Sequence, residues 1–314
     1  MTGASNAVVA GNRLPWPEAP HELTGAVGEL LGSPIIRHQT QWGGFSAGIA
    51  SRVRCANGRP AFVKAVERTA DEFATMLYER ESAIAVRLPG TLPAPRCLGV
   101  VRERGWLALV FEDAGASAVE LPWDDRRLDR VTAQLTRLTA LATPSPVSGL
   151  EPWGGDLADW RNWAALTADG SAERHLPPRW RHGVATLAAL EAGLEEARAG
   201  ETLLHSDLRS DNIIIRPDGG VVFVDWAQAA VGAAWIDPLI FALCAAVQGA
   251  PDPDRLLAAH PAGHGAPAEL VNRVLAALAG RFAVVSTTPG PPAVRSFQRL
   301  ESEVVLRWLD RRLT

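Results

Sequence analysis

The densest run of reactive side chains in this sequence is His205-Ser206-Asp207-Leu208-Arg209-Ser210-Asp211-Asn212, set between the apolar residues Leu203-Leu204 and Ile213-Ile214-Ile215. A loop hemmed in this way lies against a core, where so many polar groups cost several kcal/mol unless each finds a partner or an ion. Asp225 follows Asn212 by thirteen residues (225 − 212), at the end of the apolar run Val221-Val222-Phe223-Val224. Two carboxylates and an amide are thereby expected on adjacent backbone segments. Hard oxygen ligands of this kind suit magnesium, which takes one or two protein ligands and completes its shell with phosphate oxygens. The residues alone leave open which of these groups would hold the ion.

The cation for such a site is conspicuous. The chain has 31 basic residues, and Lys64 is the only lysine. An arginine-rich composition of this kind commonly reflects codon usage, and one lysine must fall somewhere. A position that keeps lysine is nevertheless suited to a need arginine does not meet, a compact point charge on a thin, pliable stem.

His205-x-Asp207-x4-Asn212 followed by Val224-Asp225 resembles the catalytic segment of the aminoglycoside phosphotransferases, relatives of the protein kinases. Ser206 stands where protein kinases have arginine, Asp225-Trp226-Ala227 replaces Asp-Phe-Gly, and no Ala-Pro-Glu segment follows. The first two departures are similar to the small-molecule kinases, and the third argues against a protein-kinase activation loop. The upstream half agrees. Ala61-Phe62-Val63-Lys64 resembles the strand that ends in the phosphate-binding lysine. Seventeen residues on (81 − 64), Tyr78-Glu79-Arg80-Glu81 offers an acid to pair with it; the resemblance favours Glu81, while spacing alone leaves Glu79 open. Gly43 to Gly48 could lie over phosphates, with Gly44 and Ser46 as the contacts, and Glu112 to Ala114 match the hinge that hydrogen-bonds a nucleotide base. The likeness implies Asp207 as the group that receives a proton from an acceptor hydroxyl, and Asp237 as structural support for its loop. It covers residues 35–245.

Other chemistries fit less well. A Walker P-loop needs G-x4-G-K-[ST], but Lys64 is followed by Ala65. His260 and His264 are separated by Pro261 and Gly263, against one helical face and so against zinc. No G-x-S-x-G elbow accompanies Ser206, and His205 reads as a structural brace. Trp153, Trp160, Trp163 and Trp180 are either core or an aromatic wall facing the acceptor. Asp156, Asp159 and Asp169 suit a cationic acceptor or simply a solvated helix face.

These residues need a frame. Residues 34–42, 48–55, 60–66, 97–101 and 106–111 read as strands, the second and third joined by an Asn57-Gly58 hairpin signal. Residues 70–88 read as a helix with Phe73, Met76, Leu77, Ile84 and Leu88 near one face. Helices are expected at 127–142, 182–199, 238–247, 268–282 and 293–313, with a hairpin at 213–216 and 221–225. The expected fold is α+β and protein-kinase-like with two lobes. A small antiparallel-sheet lobe (1–111, of which 1–20 need not be ordered) leads through a hinge (112–116) to a larger α-rich lobe (117–314). Ligands favour the cleft of such folds.

The chain has 314 residues, 47% hydrophobic and 21% charged, which excludes general disorder. A net charge of −4 argues against coating nucleic acid or an anionic membrane. Cys55, Cys97 and Cys244 are too few and scattered for a disulfide framework, which with the absence of a secretory pattern suggests a cytoplasmic protein. The apolar stretch 229–247 carries Asp237 and Pro238 at its middle and reads as a buried helix. The expected activity is magnesium-dependent transfer of the γ-phosphoryl group of ATP or GTP to a hydroxyl of a small molecule. Family likeness favours an aminoglycoside or other antibiotic, with antibiotic resistance as the implied role, in a monomer or homodimer. Kinases of choline, homoserine or a sugar are the rival, and a nucleotide-binding regulator without turnover is the alternative of another class.

Overall fold

Five strands form one antiparallel sheet: β1 (Ile35–Thr40), β2 (Ile49–Cys55), β3 (Pro60–Glu67), β4 (Cys97–Glu103) and β5 (Trp106–Phe111), in the order β1-β2-β3-β5-β4. They belong to a computed structural model that describes residues 13–42, 48–115, 118–177, 180 and 182–314. Contacts divide the chain into two compact units. A sheet unit gathers the chain up to Val119 together with Ser210–Ala229; a helical unit gathers Glu120–Arg209 and Ala230–Thr314.

In the sheet unit, side chains of a strand alternate between faces. On β3, Ala61, Val63 and Ala65 join the core beneath helix α1 (His21–Leu31), with Leu23, Val27, Val53 and Val110. Phe62 and Val66 pack on the other face, with Leu107, Leu109 and Phe111 of β5 and Ala74, Tyr78 and Ala85 of helix α2 (Glu72–Ala85). Lys64 shares the parity of Phe62 and Val66, so the pleat alone sends it toward α2. Asp71 caps α2 by accepting from Ala74 N–H at 2.9 Å, a contact worth about 1 kcal/mol.

The face that α2 buries differs from the one the apolar pattern suggests. Phe73 is 66% exposed and Met76 45% exposed, whereas Ala74, Tyr78, Glu81 and Ala85 are buried. Those four repeat at spacings of four, three and four, a helical stripe with a carboxylate inside it. That charge disguises the stripe to any count of apolar residues.

The start of β2 depends on Gly48, at φ +94°; a Cβ there would overlap the Ala65 carbonyl oxygen of β3. The short hairpin Ile213–Ile215 with Val221–Phe223 completes the unit, anchored where Phe223 N–H donates to the Pro93 carbonyl at 2.8 Å.

The helical unit contains α3 (Asp125–Leu141), α4 (Asn162–Ala168), α5 (Gly183–Glu191), α6 (Leu194–Arg198), α7 (Ile236–Val247), α8 (Pro253–Ala259), α9 (Pro261–His264), α10 (Ala268–Val285) and α11 (Pro292–Arg312). Leu128, Val131, Leu135 and Leu138 of α3 are buried at the expected spacing. The helix expected over 182–199 is two pieces, because the backbone turns at Ala192-Gly193, where a Cβ on Gly193 would meet the Arg273 side chain at 2.7 Å. Trp153 and Trp163 are core residues; the Trp163 indole N–H donates to Ala276 O at 2.8 Å. His260 is buried, its Nδ1 accepting from Ala262 N–H at the start of α9, which accounts for it without a metal. Thr202–Leu204 pairs with Ala230–Gly232, so the excursion Ser210–Ala229 leaves the helical unit and returns to it on one ribbon.

Gly48→Ala is expected to destabilise the protein by about 2–4 kcal/mol, combining left-handed strain with overpacking. Urea denaturation followed by circular dichroism measures this; a loss under about 1 kcal/mol would contradict the packing described.

Candidate active site

The alternation that turns Lys64 toward α2 places its ammonium against three groups of the sheet unit. Its Nζ lies 2.6 Å from Glu81 Oε2, 3.1 Å from Asp225 Oδ1 and 5.2 Å from the centre of the Tyr78 ring. Burial alone would lower the lysine pKa, but the Asp225 and Glu81 carboxylates outweigh it and hold the group above its ordinary value, fully charged. Burial pushes the Glu81 carboxyl upward against the pull of Lys64. Glu79, the alternative in the sequence, faces Arg102 at 2.5 Å and Arg68 at 3.7 Å instead.

Asp225 reaches the lysine through an unusual backbone. It follows the strand Val221–Phe223 at φ +68°, ψ +65°, the left-handed region. The turn is fastened on both sides: Val224 N–H donates to the Asn212 carbonyl at 2.9 Å, and the Trp226 indole N–H donates to Phe223 O at 3.0 Å. The Trp226 backbone N–H also bonds Glu81, tying this segment to α2.

The same backbone bond makes Asn212 and Asp225 neighbours. Their donors are one amide oxygen and one carboxylate, hard oxygens that fit magnesium and not a softer metal. Among the described residues no cluster of three or more His, Cys, Asp or Glu could hold a metal. The site thus fits an ion that brings most of its ligands with it.

The helical unit holds Asp207. Arg209 Nη1 lies 3.1 and 3.2 Å from its two carboxylate oxygens, a contact the sequence reading did not anticipate. The turn before it is built on Asp237, which accepts from the backbone N–H of His205 at 2.7 Å and of Ser206 at 2.8 Å. Burial raises the Asp237 carboxyl, opposed by His205 and by these two hydrogen bonds. His205 is fully buried and its Nδ1 accepts from Asp207 N–H at 3.3 Å. Ser206 occupies φ +68°, and its buried Oγ has no hydrogen-bond partner among the described residues.

The remaining expected contacts are mixed. Glu112 N–H donates to Arg96 O and its carboxylate pairs with Arg96, while Ala114 is buried. Asp113 pairs with Arg52 at 2.9 Å. Gly44 and Ser46 lie outside the described residues. Asp156 and Asp169 accept from Ala158 and Ser171 N–H groups and act as local turn caps. Tyr78 was missed as a site residue; the signal for it was its place three residues before Glu81, on the same helical face.

A sheet unit with a buried lysine–glutamate pair and a helical unit carrying a His-x-Asp turn define a protein-kinase-like α+β fold. The family model of the phosphotransferase enzymes (APH) matches residues 44–270, more than half of the chain, and the chain belongs to that family. It is a small-molecule phosphotransferase acting on hydroxyl groups. Similar solved structures include a thermostable mutant of the aminoglycoside phosphotransferase APH(4)-Ia in ternary complex with ADP and hygromycin B. It has a TM-score of 0.58 and 16% identity over 91% of this chain and 98% of that one. The choline kinase LicA from Streptococcus pneumoniae has a TM-score of 0.55 and 12% identity, over 91% and 97%. An aminoglycoside phosphotransferase from Alicyclobacillus acidocaldarius has a TM-score of 0.53 and 16% identity, over 89% and 92%. No curated protein sequence matches the chain. No helix among the described residues is long and apolar enough to cross a membrane.

Replacing Ser206 by glycine relieves left-handed strain of about 1–2 kcal/mol and an unsatisfied hydroxyl, against an entropic loss of about 0.5–1 kcal/mol. Ser206→Gly is therefore expected to stabilise the protein by about 1 kcal/mol, read from the urea midpoint. Destabilisation would show that the hydroxyl is satisfied in solution.

Proposed function

We propose that the protein transfers the γ-phosphoryl group of ATP (or GTP) to a hydroxyl of a small molecule, with Lys64 gripping the nucleotide phosphates. The observation that carries this reading is the buried Lys64–Glu81–Asp225 cluster: an ammonium held fully charged, with a carboxylate on one side partly accessible. Glu81 fixes the lysine, so its charge is aimed before the nucleotide arrives, the preorganisation from which most phosphoryl-transfer catalysis comes. Asn212 and Asp225 would hold magnesium, which offsets charge on the transferring group when bound. Ser46, Gly44 and the backbone of Glu112–Ala114 would contact the phosphates and the base.

Asp207 orients the acceptor hydroxyl and takes its proton. As the hydroxyl oxygen bonds to the γ-phosphorus, the bond from phosphorus to the β-phosphate oxygen breaks, and that oxygen leaves with the electron pair. Asp237, His205 and the left-handed turn at Ser206 keep Asp207 in place, a positional demand on which such transfers depend steeply. An aminoglycoside or related antibiotic is the acceptor we favour, supported by the phosphotransferases that share this fold; resistance would be the biological role, in a cytoplasm that supplies the nucleotide. The likeness to a choline kinase keeps an amino-alcohol metabolite as the second reading.

Asp207→Asn is expected to lower turnover at least about 100-fold while ADP binding persists. Product formation at the wild-type rate would remove the assignment of the base. Lys64→Ala is expected to raise the KM for nucleotide at least about tenfold. Chelation of magnesium should abolish transfer and its return restore it. An acceptor panel of aminoglycosides, choline and homoserine, read by mass spectrometry of phosphorylated product, separates the readings. Magnesium-nucleotide binding with no product on any acceptor would favour a regulator.

A further inference from the structure

The chain has one lysine and one tyrosine, and they meet. Tyr78 is 2% exposed, its ring 5.2 Å from the Lys64 ammonium, and its hydroxyl is buried with no hydrogen-bond partner among the described residues. A buried phenol normally satisfies its O–H. Here the fold tolerates the unsatisfied hydroxyl and keeps the ring, which points to the π face as the part in use.

Magnesium binding explains why such a face would be needed. Lys64 has two anionic partners, Glu81 on α2 and Asp225 after the second hairpin strand. In the reading proposed above, Asp225 would also hold the metal, so its charge would be shared between the metal and the lysine and its hold on the ammonium weakened. The other groups against the ammonium are Glu81 and the Tyr78 ring, both on α2 and three residues apart. A carboxylate alone leaves the ammonium free to swing about it. A ring face on a second side restricts that swing, and the attraction of a cation to an aromatic face is strongest where water is excluded.

We propose that Tyr78 is a positioning residue for Lys64: its ring, beside Glu81, holds the ammonium in place for the nucleotide phosphates when Asp225 also holds the metal. The inference rests on the nucleotide reading of the site. It assigns the work to the ring, and none to the hydroxyl.

The test measures the Kd for ADP with magnesium by calorimetry in the full chain, beside 19F NMR of protein labelled with 3-fluorotyrosine. With a single tyrosine, the label gives one resonance. Tyr78→Phe keeps a ring and is expected to bind ADP within about twofold of wild type. Tyr78→Met keeps most of the volume without the π face and is expected to weaken binding about fivefold or more. In the unliganded protein, Lys64→Met should shift the fluorine resonance, and ADP with magnesium should shift it in wild type. Affinity within about twofold of wild type in both the Met and the Phe variants would make Tyr78 a packing residue only and overturn the proposal, as would a fluorine resonance indifferent to Lys64. A loss in Tyr78→Phe as large as in Tyr78→Met would move the role to the hydroxyl, against the proposal. No ADP binding by the unsubstituted protein would overturn the nucleotide reading itself, and this inference with it.

Discussion

A single buried ammonium governs the arrangement of the sheet unit. Lys64 leaves water only because two carboxylates meet it, the buried Glu81 and the partly exposed Asp225, and the buried Glu81 depends on the lysine in turn. Removing one member of such a group strands a buried charge, at a penalty of about 3–5 kcal/mol. Three elements therefore have their relative position set by electrostatics. β3 carries the lysine, α2 carries Glu81, and the hairpin ending at Phe223 carries Asp225. Hydrophobic packing brings these elements close; the ion cluster decides which faces meet.

That priority explains the least intuitive feature of α2. A helix free to maximise apolar burial would turn Phe73 and Met76 inward. It turns Tyr78 and Glu81 inward instead, because an unpaired Lys64 would cost more than two exposed apolar side chains recover. The backbone follows the same logic at Asp225. Its left-handed conformation is a local strain, held by the bonds from Val224 to Asn212 and from Trp226 to Phe223. Ser206 repeats the device in the helical unit, where Asp237 accepts two backbone N–H groups and makes the strained turn the best available one. In each unit the strained residue is fixed by hydrogen bonds to its own neighbours, so its backbone direction is set by the fold.

Much of this was legible in the residues. The strands over 35–40, 49–55, 60–67, 97–103 and 106–111 follow from short runs of strand-forming residues and from the Asn57-Gly58 turn, both properties of a few neighbouring residues. The spacing of Asp207, Asn212 and Asp225, and the rarity of lysine, marked the candidate site residues through resemblance to the phosphotransferases, and the structure brings Lys64 and Asp225 together. Asp237 was identified as support for the loop and does accept from its backbone. The helix over 182–199 was not legible as two pieces; at its break Gly193 lies against the side chain of Arg273, distant in sequence.

Sequence by itself determined which chemical groups the protein possesses and the period on which each element places them, since side-chain identity and backbone repeat are local. Tertiary structure decided which of two glutamates takes the lysine, which face α2 buries, and that the lone tyrosine lies under the ammonium. Each of those outcomes is a comparison of energies between residues far apart in the chain, and no local pattern contains the second member of the pair.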